Sequence, residues 1–325
     1  MSYNSILGQS SMALDETRNK VYRRALKDIV TPDSVVLDLG AGLGPFGLIA
    51  AKLGAHKVYL VEPQHIIHTV KNIVKQNNLQ DVIECIQGTA ENVKLPEKVD
   101  IITSCFTGNF LLSEDLLPSL YAARDKFLKA DGVLLPDSGS MYAVPISIPK
   151  IFARRVESYS KPHLGIDYSY YRQHAANNGG KLRNVKPANY LAKPQHIQTL
   201  DFYTEKTARC DHALEFKASR NAKCHGFLGW FNITLGKHKL STAPDAPPVH
   251  WSPLWYPVDP PLVVKKNDII NLKVKKPEKK PWSWIMQVGA EKRAHSHFLL
   301  NAAQRGKVTK KAMTRGMQKK ISAAM

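Results

Sequence analysis

The fold is decided by a ten-residue stretch in which an apolar run meets a glycine-rich turn, Val35-Val36-Leu37-Asp38-Leu39-Gly40-Ala41-Gly42-Leu43-Gly44. The apolar half is typical of a buried parallel strand. The turn leads into a helix-like segment at 45–53. Its alternating glycines let the backbone turn tightly and approach a ligand closely, since glycine has no Cβ. A strand, a glycine turn and a helix in this order indicate the first unit of an α/β sheet.

Strand-like and helix-like segments alternate on both sides of this stretch. Helical periodicity covers 13–30, 45–53, 65–77 and 113–130. Short apolar runs between these segments lie at 35–39, 57–61, 82–86, 99–103 and 132–135. This rhythm predicts a twisted, mostly parallel sheet with helices on both faces.

The pattern changes after Pro136. The following segments alternate in strand fashion and are separated by turns rich in Gly, Pro and Asn: 141–148, 197–208, 212–220, 225–235 and 268–274. They predict an antiparallel sheet or barrel. Within this half, residues 160–195 are polar and contain four tyrosines, which indicates a protruding insertion. His295 and His297 are expected at the surface.

The composition limits the class of protein. The chain has 325 residues, 43% of them hydrophobic and 22% charged, as in a soluble globular protein. It contains no apolar run of about 18 residues, so no membrane span is predicted. The N-terminus lacks the basic start and apolar core of a signal peptide, and a cytoplasmic location is expected by default. The four cysteines form no CxxC pair, so no metal site is predicted.

The net charge of +19 is unevenly distributed. Residues 301–325 carry seven Lys or Arg and no acid. Such a basic tail can bind nucleic acid, an acidic partner or a membrane surface, although a solvated, partly disordered tail is the interpretation we favour. The tail has no aromatic residues, so base stacking is not indicated.

The glycine spacing also predicts the ligand. A dinucleotide fingerprint is GxGxxG, which seats a pyrophosphate on a helix N-terminus. Here the third glycine comes one residue earlier, which suits a ligand without phosphates, such as S-adenosylmethionine. Glu62 ends the second strand and is expected to accept hydrogen bonds from both ribose hydroxyls, while Glu91 after the third strand faces the adenine amino group. The cofactor residues predicted in this part of the chain are Asp38, Gly40, Gly42, Gly44, Glu62, Ala90 and Glu91.

Several stretches together resemble the protein arginine methyltransferases along nearly the whole chain. Residues 12–22 are similar to the family's MLxDxxRTxxY helix, and residues 103–114 to its SEWMGYFLLYES loop, with matches at Gly108, Phe110, Leu111, Leu112 and Glu114. Pro248-Val249-His250-Trp251 resembles the family's THW loop. The resemblance implies that Arg18 pairs with the methionine carboxylate of S-adenosylmethionine, a pairing that a guanidinium makes bidentately.

The resemblance also implies an architecture and an assembly. The fold class is α/β, a Rossmann-like class I methyltransferase sheet followed by a β-barrel domain with a helical dimerisation arm. Residues 1–136 would form the cofactor domain with an N-terminal lid helix, and 137–300 the barrel domain with its arm at about 160–195. Residues 301–325 remain the basic tail. The tyrosines of the arm suit an interface, so a head-to-tail homodimer is expected.

Departures from the family pattern lie on the acceptor side. The first glutamate of the loop is Cys105, the aromatic after it is Phe106, and the histidine before the helix methionine is Gln9. We predict that Glu114 orients or deprotonates the acceptor and that His250 assists. With one carboxylate lost, a nucleophile less cationic than arginine becomes plausible: an amine, an imidazole, a hydroxyl or a free amino acid derivative.

Three functions remain open at this point. The first is an active methyltransferase whose acceptor is a protein arginine or a small molecule. The second is a non-catalytic partner that regulates an active relative, which the loss of the first glutamate favours. The third is a nucleic-acid methyltransferase, which only the charge supports.

Overall fold

The computed structural model describes residues 6–297, so the basic tail at 301–325 lies outside the described residues. The first part of the chain forms α1 (Ile6–Ala13), α2 (Glu16–Ile29), β1 (Val35–Leu39), α3 (Pro45–Lys52), β2 (Lys57–Glu62), α4 (Ile66–Gln76), β3 (Ile83–Gln87), β4 (Val99–Ser104), α5 (Leu117–Phe127) and β5 (Leu128–Leu135).

The five strands of this part form a parallel sheet in the order β3-β2-β1-β4-β5. All five residues of β1 are buried, as its continuous apolar run predicts for a central strand covered on both faces. The connection from β3 to β4 carries the chain to the other side of β1, so the strand order reverses between β1 and β4. Ligands of such sheets bind beyond the carboxyl ends of the strands at this reversal.

The second part of the chain is mainly antiparallel. It contains β6 (Ser138–Pro145), α6 (Pro149–Arg155), α7 (Ser169–Ala176), β7 (Gly180–Lys181), β8 (Gln195–Asp201), β9 (Cys210–Lys217), β10 (Ala222–Leu235), β11 (His238–Ser241), β12 (Leu254–Val264), β13 (Ile269–Lys276), β14 (Ser283–Val288) and β15 (Glu291–Ser296). Short 3-10 helices occupy Glu157–Ser160 and Pro187–Asn189.

Two antiparallel sheets build this second part. One has the order β7-β12-β10-β6-β8 with β11 beside β10, and the other has the order β15-β14-β13-β9. Aromatic rings join the two parts of the molecule. The ring centroid of Phe110, from the loop after β4, lies 4.8 Å from that of Trp282 and 5.5 Å from that of Tyr256. The predicted fold class, a Rossmann-like sheet followed by a β-barrel domain, is confirmed.

The polar segment between β6 and β8 contains two helices held to the barrel by side chains. Arg172 of α7 makes a bidentate pair with Asp259 of β12, at 2.6 and 2.8 Å. His295 accepts a hydrogen bond from the Asp259 amide and meets Asn177 at the end of α7. The expectation that His295 and His297 are surface residues is wrong: both are half-buried and anchor this segment.

Element boundaries differ from the sequence prediction in three ways that have physical causes. The helix expected at 13–30 begins at Glu16, because Asp15 caps it by accepting a hydrogen bond from the Arg18 amide. The helix expected at 113–130 begins at Leu117, because left-handed residues, among them Asp115, precede it. The sequence pattern did not predict β12, because Pro257, Pro260 and Pro261 argue against a strand.

No helix in the described part of the chain is long and apolar enough to cross a bilayer.

Candidate cofactor and acceptor sites

A cavity of about 340 Å³ lies beyond the carboxyl ends of β1, β2 and β4. Its wall includes residues of α1, the glycine turn and the loop after β4. The residues that matter for the chemistry are Arg18, Gly40, Gly42, Glu62, Ala90, Cys105, Phe106, Ser119 and His250. Five residues of the predicted cofactor site therefore meet at one cavity: Arg18, Gly40, Gly42, Glu62 and Ala90.

The glycine turn forms the floor of this cavity because no side chain fits there. A Cβ at Gly40 would lie 2.1 Å from the Phe106 ring, and a Cβ at Gly42 would lie 2.9 Å from Gln9 Oε1. Both glycines have positive φ, 67° and 56°, which other residues adopt only at a cost. The turn is thus shaped for backbone contact with a ligand.

Glu62 holds the turn and faces the cavity. Its Oε2 accepts a hydrogen bond from the Gly42 amide at 2.9 Å, and its Oε1 accepts one from the Gln64 amide at 2.9 Å. Each carboxylate oxygen has further acceptor capacity. The carboxylate can therefore take hydroxyl donors of a ribose while it fixes the glycine turn.

Arg18 brings a buried positive charge to the opposite wall. It is 2% exposed, and its guanidinium lies over the Phe46 ring at 4.9 Å. It donates hydrogen bonds to the Met12 carbonyl, to Asn19 Oδ1 and to Cys105 Sγ, the last at 3.1 Å. Within residues 6–297 no carboxylate forms an ion pair with this guanidinium. A buried cation that lines a cavity without an ion-pair partner fits the carboxylate of a methionine moiety.

Three residues predicted to bind the cofactor lie outside the cavity wall. Asp38 is buried behind the turn, where its Oδ2 accepts a hydrogen bond from the Gly47 amide at 2.8 Å, and burial raises the pKa of Asp38 to about 7. A Cβ at Gly44 would lie 3.1 Å from the Leu60 side chain and 3.2 Å from the Val70 side chain. Glu91 is exposed and accepts a hydrogen bond from Ser119 Oγ at 2.8 Å. Asp38 and Gly44 support the turn, and contact between Glu91 and adenine stays a prediction.

Asp15 connects the start of α2 to the loop that carries His250. Its Oδ2 accepts hydrogen bonds from the His250 amide at 2.7 Å and from His250 Nδ1 at 2.9 Å. Burial lowers the pKa of His250 and outweighs the opposing effect of Asp15. The imidazole is therefore neutral at pH 7, with its proton on Nδ1 and the lone pair of Nε2 available to accept a hydrogen bond.

Glu114 lies in a groove of about 980 Å³ next to the cavity, and Met12, His250 and Trp251 line both. Burial raises the pKa of Glu114 above its ordinary value, and the nearby charge of Lys181 opposes this shift only in part. A Cβ at Gly108 would lie 2.9 Å from the Glu114 amide nitrogen, so the glycine lets the loop fold back on itself. The two predicted catalytic residues, Glu114 and His250, thus share one groove.

Sequence reasoning missed the basic residues of this groove. The groove wall contains Arg155 of α6, Lys181 of β7 and Arg183. They were missed because they are far from Glu114 along the chain. It also missed Lys276, which is 1% exposed and pairs with Asp115 next to Glu114. A buried lysine in the alternating pattern of β13 was the available signal, since lysine is almost never buried without a partner.

No cluster of three or more His, Cys, Asp or Glu that could hold a metal ion occurs between residues 6 and 297. The groups that the two cavities bring together are the Glu114 carboxylate, the neutral His250 imidazole and the buried Arg18 guanidinium.

The fold and the cavity define the class: an S-adenosylmethionine-dependent methyltransferase. Comparison with known proteins agrees, since residues 137–284 match the arginine methyltransferase oligomerization subdomain and residues 12–114 match the TRM5/TYW2 methyltransferase domain. Protein arginine N-methyltransferase 2 of Xenopus tropicalis is 30% identical over 328 residues, which cover 95% of this chain and 72% of that protein. The chain belongs to the protein arginine N-methyltransferase family.

Two further similarities support this assignment. Protein arginine N-methyltransferase 6 of Danio rerio is 33% identical over 267 residues, covering 77% of this chain and 76% of that one. A solved structure described as the Trypanosoma brucei PRMT1 enzyme-prozyme heterotetrameric complex with AdoHcy superposes with a TM-score of 0.81 and 28% identity, covering 92% of this chain and all of the other.

Proposed function

We propose that this chain transfers the methyl group of S-adenosylmethionine to a nucleophile less cationic than the arginine guanidinium. The observation that carries the proposal is the thiol at position 105. Cys105 Sγ accepts a hydrogen bond from Arg18, and burial raises the pKa of this thiol. It is therefore uncharged at neutral pH, and Glu114 is the carboxylate left to face the acceptor.

The single carboxylate suits an acceptor that must lose a proton. Bound S-adenosylmethionine supplies an electrophilic methyl group on a sulfonium. Glu114, with its pKa raised by burial, accepts the proton that an attacking amine, imidazole or hydroxyl gives up. His250, held by Asp15, presents Nε2 to the same groove and orients the acceptor.

Replacement of Glu114 tests this role. Glu114→Gln keeps the shape of the side chain but cannot accept the proton, so we expect turnover to fall about a hundredfold or more. The assay uses labelled S-adenosylmethionine with protein and small-molecule fractions of a cell extract. Glu215→Gln, the same change at an exposed position of β9, is the matched control.

The product identifies the acceptor. Hydrolysis of the labelled fraction followed by amino-acid analysis should give a methylated group other than methylarginine. Label in methylarginine would refute the proposed acceptor, and unchanged turnover of Glu114→Gln would refute the role of Glu114.

A second candidate is a non-catalytic partner of an active methyltransferase. The same departure at Cys105 supports it, and the Trypanosoma brucei neighbour is described as an enzyme-prozyme complex. Calorimetry with S-adenosylmethionine separates the two functions: tight binding without transfer to any fraction favours the partner, whereas tight binding with transfer favours the enzyme.

We also propose that the chain forms a homodimer through the segment at about 160–195. Leu164 is 88% exposed, Tyr170 77% and Ile166 53%. Apolar and aromatic side chains gathered on one protruding segment are typical of an interface.

A further inference from the structure

The wall of the acceptor groove is basic. Arg155, Lys181 and Arg183 line it together with Glu114 and His250. A groove that accepts a guanidinium needs negative charge, whereas this wall places three cations beside the proposed acceptor position.

Backbone carbonyls fix the two arginines. Arg155 Nη1 donates to the Lys181 carbonyl at 3.2 Å. Arg183 donates from Nε to Ser252 Oγ and from Nη2 to the Val249 carbonyl, both at 2.8 Å. Neither guanidinium forms an ion pair with a carboxylate in the described part of the chain. Their positive charges are positioned but not neutralised.

The acids of the groove offset this charge only in part. Asp15 is engaged by His250, and Glu16 pairs with Lys20 at 2.8 Å. Glu114 is thus the acid that faces Lys181, and burial disfavours its ionised form. Asp15 keeps its negative charge because its partner His250 is neutral. Two carboxylates, Asp15 and Glu114, therefore face three cations, and the groove keeps a net positive charge that attracts anions and repels cations.

We propose that this groove binds an acidic segment of a protein acceptor, whose carboxylate or phosphorylated side chains lie on Arg155, Lys181 and Arg183. This inference rests on the proposed function, in that the groove is the acceptor site. A polypeptide fits better than a small anion for two reasons. The three cations come from separate elements along the groove, and its volume of about 980 Å³ exceeds that of one side chain.

The test is a titration of a fluorescently labelled hexaglutamate peptide with the full chain at pH 8 without S-adenosylmethionine. Fluorescence anisotropy measures the binding. Hexaglutamine of the same length is the neutral probe and should bind more weakly. Lys181→Gln should weaken hexaglutamate binding about threefold to fivefold, the effect of one exposed charge contact. Lys217→Gln removes the same charge from an exposed position of β9 and should change the affinity less than about twofold.

A third variant locates the probe. Glu114→Gln removes the negative charge opposite Lys181, so hexaglutamate should bind more tightly if it lies in the groove. Equal losses for Lys181→Gln and Lys217→Gln would overturn the proposal, because the net charge of +19 would then explain the binding. Displacement of the peptide by free glutamate at equal concentration would also overturn it.

The assay contains no methyl donor, so it is independent of turnover. A chain that binds hexaglutamate in the groove but transfers no methyl group keeps this inference and loses the proposed activity. A chain that transfers methyl groups without preferring the acidic probe keeps the proposed activity and loses this inference.

Discussion

At the scale of single residues, Arg18 places a buried positive charge on the wall of the cavity. Arg18 is buried, lies over Phe46 and spreads its hydrogen bonds over Met12, Asn19 and Cys105. Because the thiol of Cys105 is uncharged at neutral pH, the charge of Arg18 remains available to the ligand. The residue that departs from the family pattern on the acceptor side therefore leaves the cofactor side intact.

Arg18→Lys should weaken binding of S-adenosylmethionine by about tenfold to a hundredfold. Lysine keeps the charge but loses the planar pair of donors that matches a carboxylate. Calorimetry gives the dissociation constant, and circular dichroism checks that the variant is folded.

Arg23→Lys is the control for this prediction, since Arg23 lies on the exposed side of the same helix. Equal affinity of Arg18→Lys and the unchanged chain would mean that Arg18 does not contact the ligand.

At the scale of elements, His225 of β10 ties three segments together. Its Nδ1 accepts a hydrogen bond from the Ile148 amide just before α6, and its carbonyl accepts one from Trp255 Nε1 of β12. Burial lowers the pKa of His225 to about 4. The base of the arm is thus built on a neutral imidazole.

Stability should therefore fall on acidification between about pH 6.5 and about pH 4. In this window the unfolded chain, in which the pKa of His225 is near its ordinary 6.5, binds a proton that the folded chain does not. Above pH 6.5 neither state is protonated at His225, so its contribution there is constant.

Urea denaturation at a series of pH values measures this effect. His225→Gln keeps an acceptor for the Ile148 amide and cannot titrate, so its stability should depend less steeply on pH in this window. His212→Gln, at a less buried position of β9, is the control, and an identical slope for His225→Gln and the unchanged chain would contradict the prediction.

The loop before α5 illustrates how an element far along the chain positions the site. Lys276 at the end of β13 pairs with Asp115, directly after Glu114. Trp282 Nε1 donates to Ser113 Oγ at 3.2 Å, directly before it. The barrel domain therefore fixes both sides of the proposed catalytic carboxylate.

At the scale of the whole molecule, the arm is the element that a second subunit would cover. Leu164, Ile166 and Tyr170 of the arm are exposed in the single chain, while Arg172 and Asn177 hold its helix to the barrel. Other apolar residues of the segment, such as Leu182 and Val185, are buried in the core of the chain itself, so the exposed ones are those that a second subunit would cover.

Leu164→Asp combined with Tyr170→Asp should convert a dimer into a monomer, because two charges would have to be buried in the interface. Light scattering at micromolar concentration measures the mass. Val263→Asp introduces the same charge at another exposed apolar residue, on β12, and should leave the dimer intact. A monomeric unchanged chain would refute the homodimer.

The class of fold and most of the cofactor cavity can be predicted from the amino-acid sequence. This is because β1, its glycine turn and Glu62 are close along the chain or stand at the ends of adjacent parallel strands. Local apolar periodicity and the steric demand at Gly40 and Gly42 are readable without tertiary information.

The charge of the proposed acceptor groove depends on the tertiary structure. Asp15 and His250 are 235 residues apart and meet at 2.9 Å, and Arg155, Lys181 and Arg183 approach Glu114 only when the arm folds onto the barrel. Charge on a groove wall depends on long-range packing, which leaves no periodic signal in the chain. Sequence patterns are therefore informative about the methyl donor, whereas the groups of the proposed acceptor groove come together only in the folded chain.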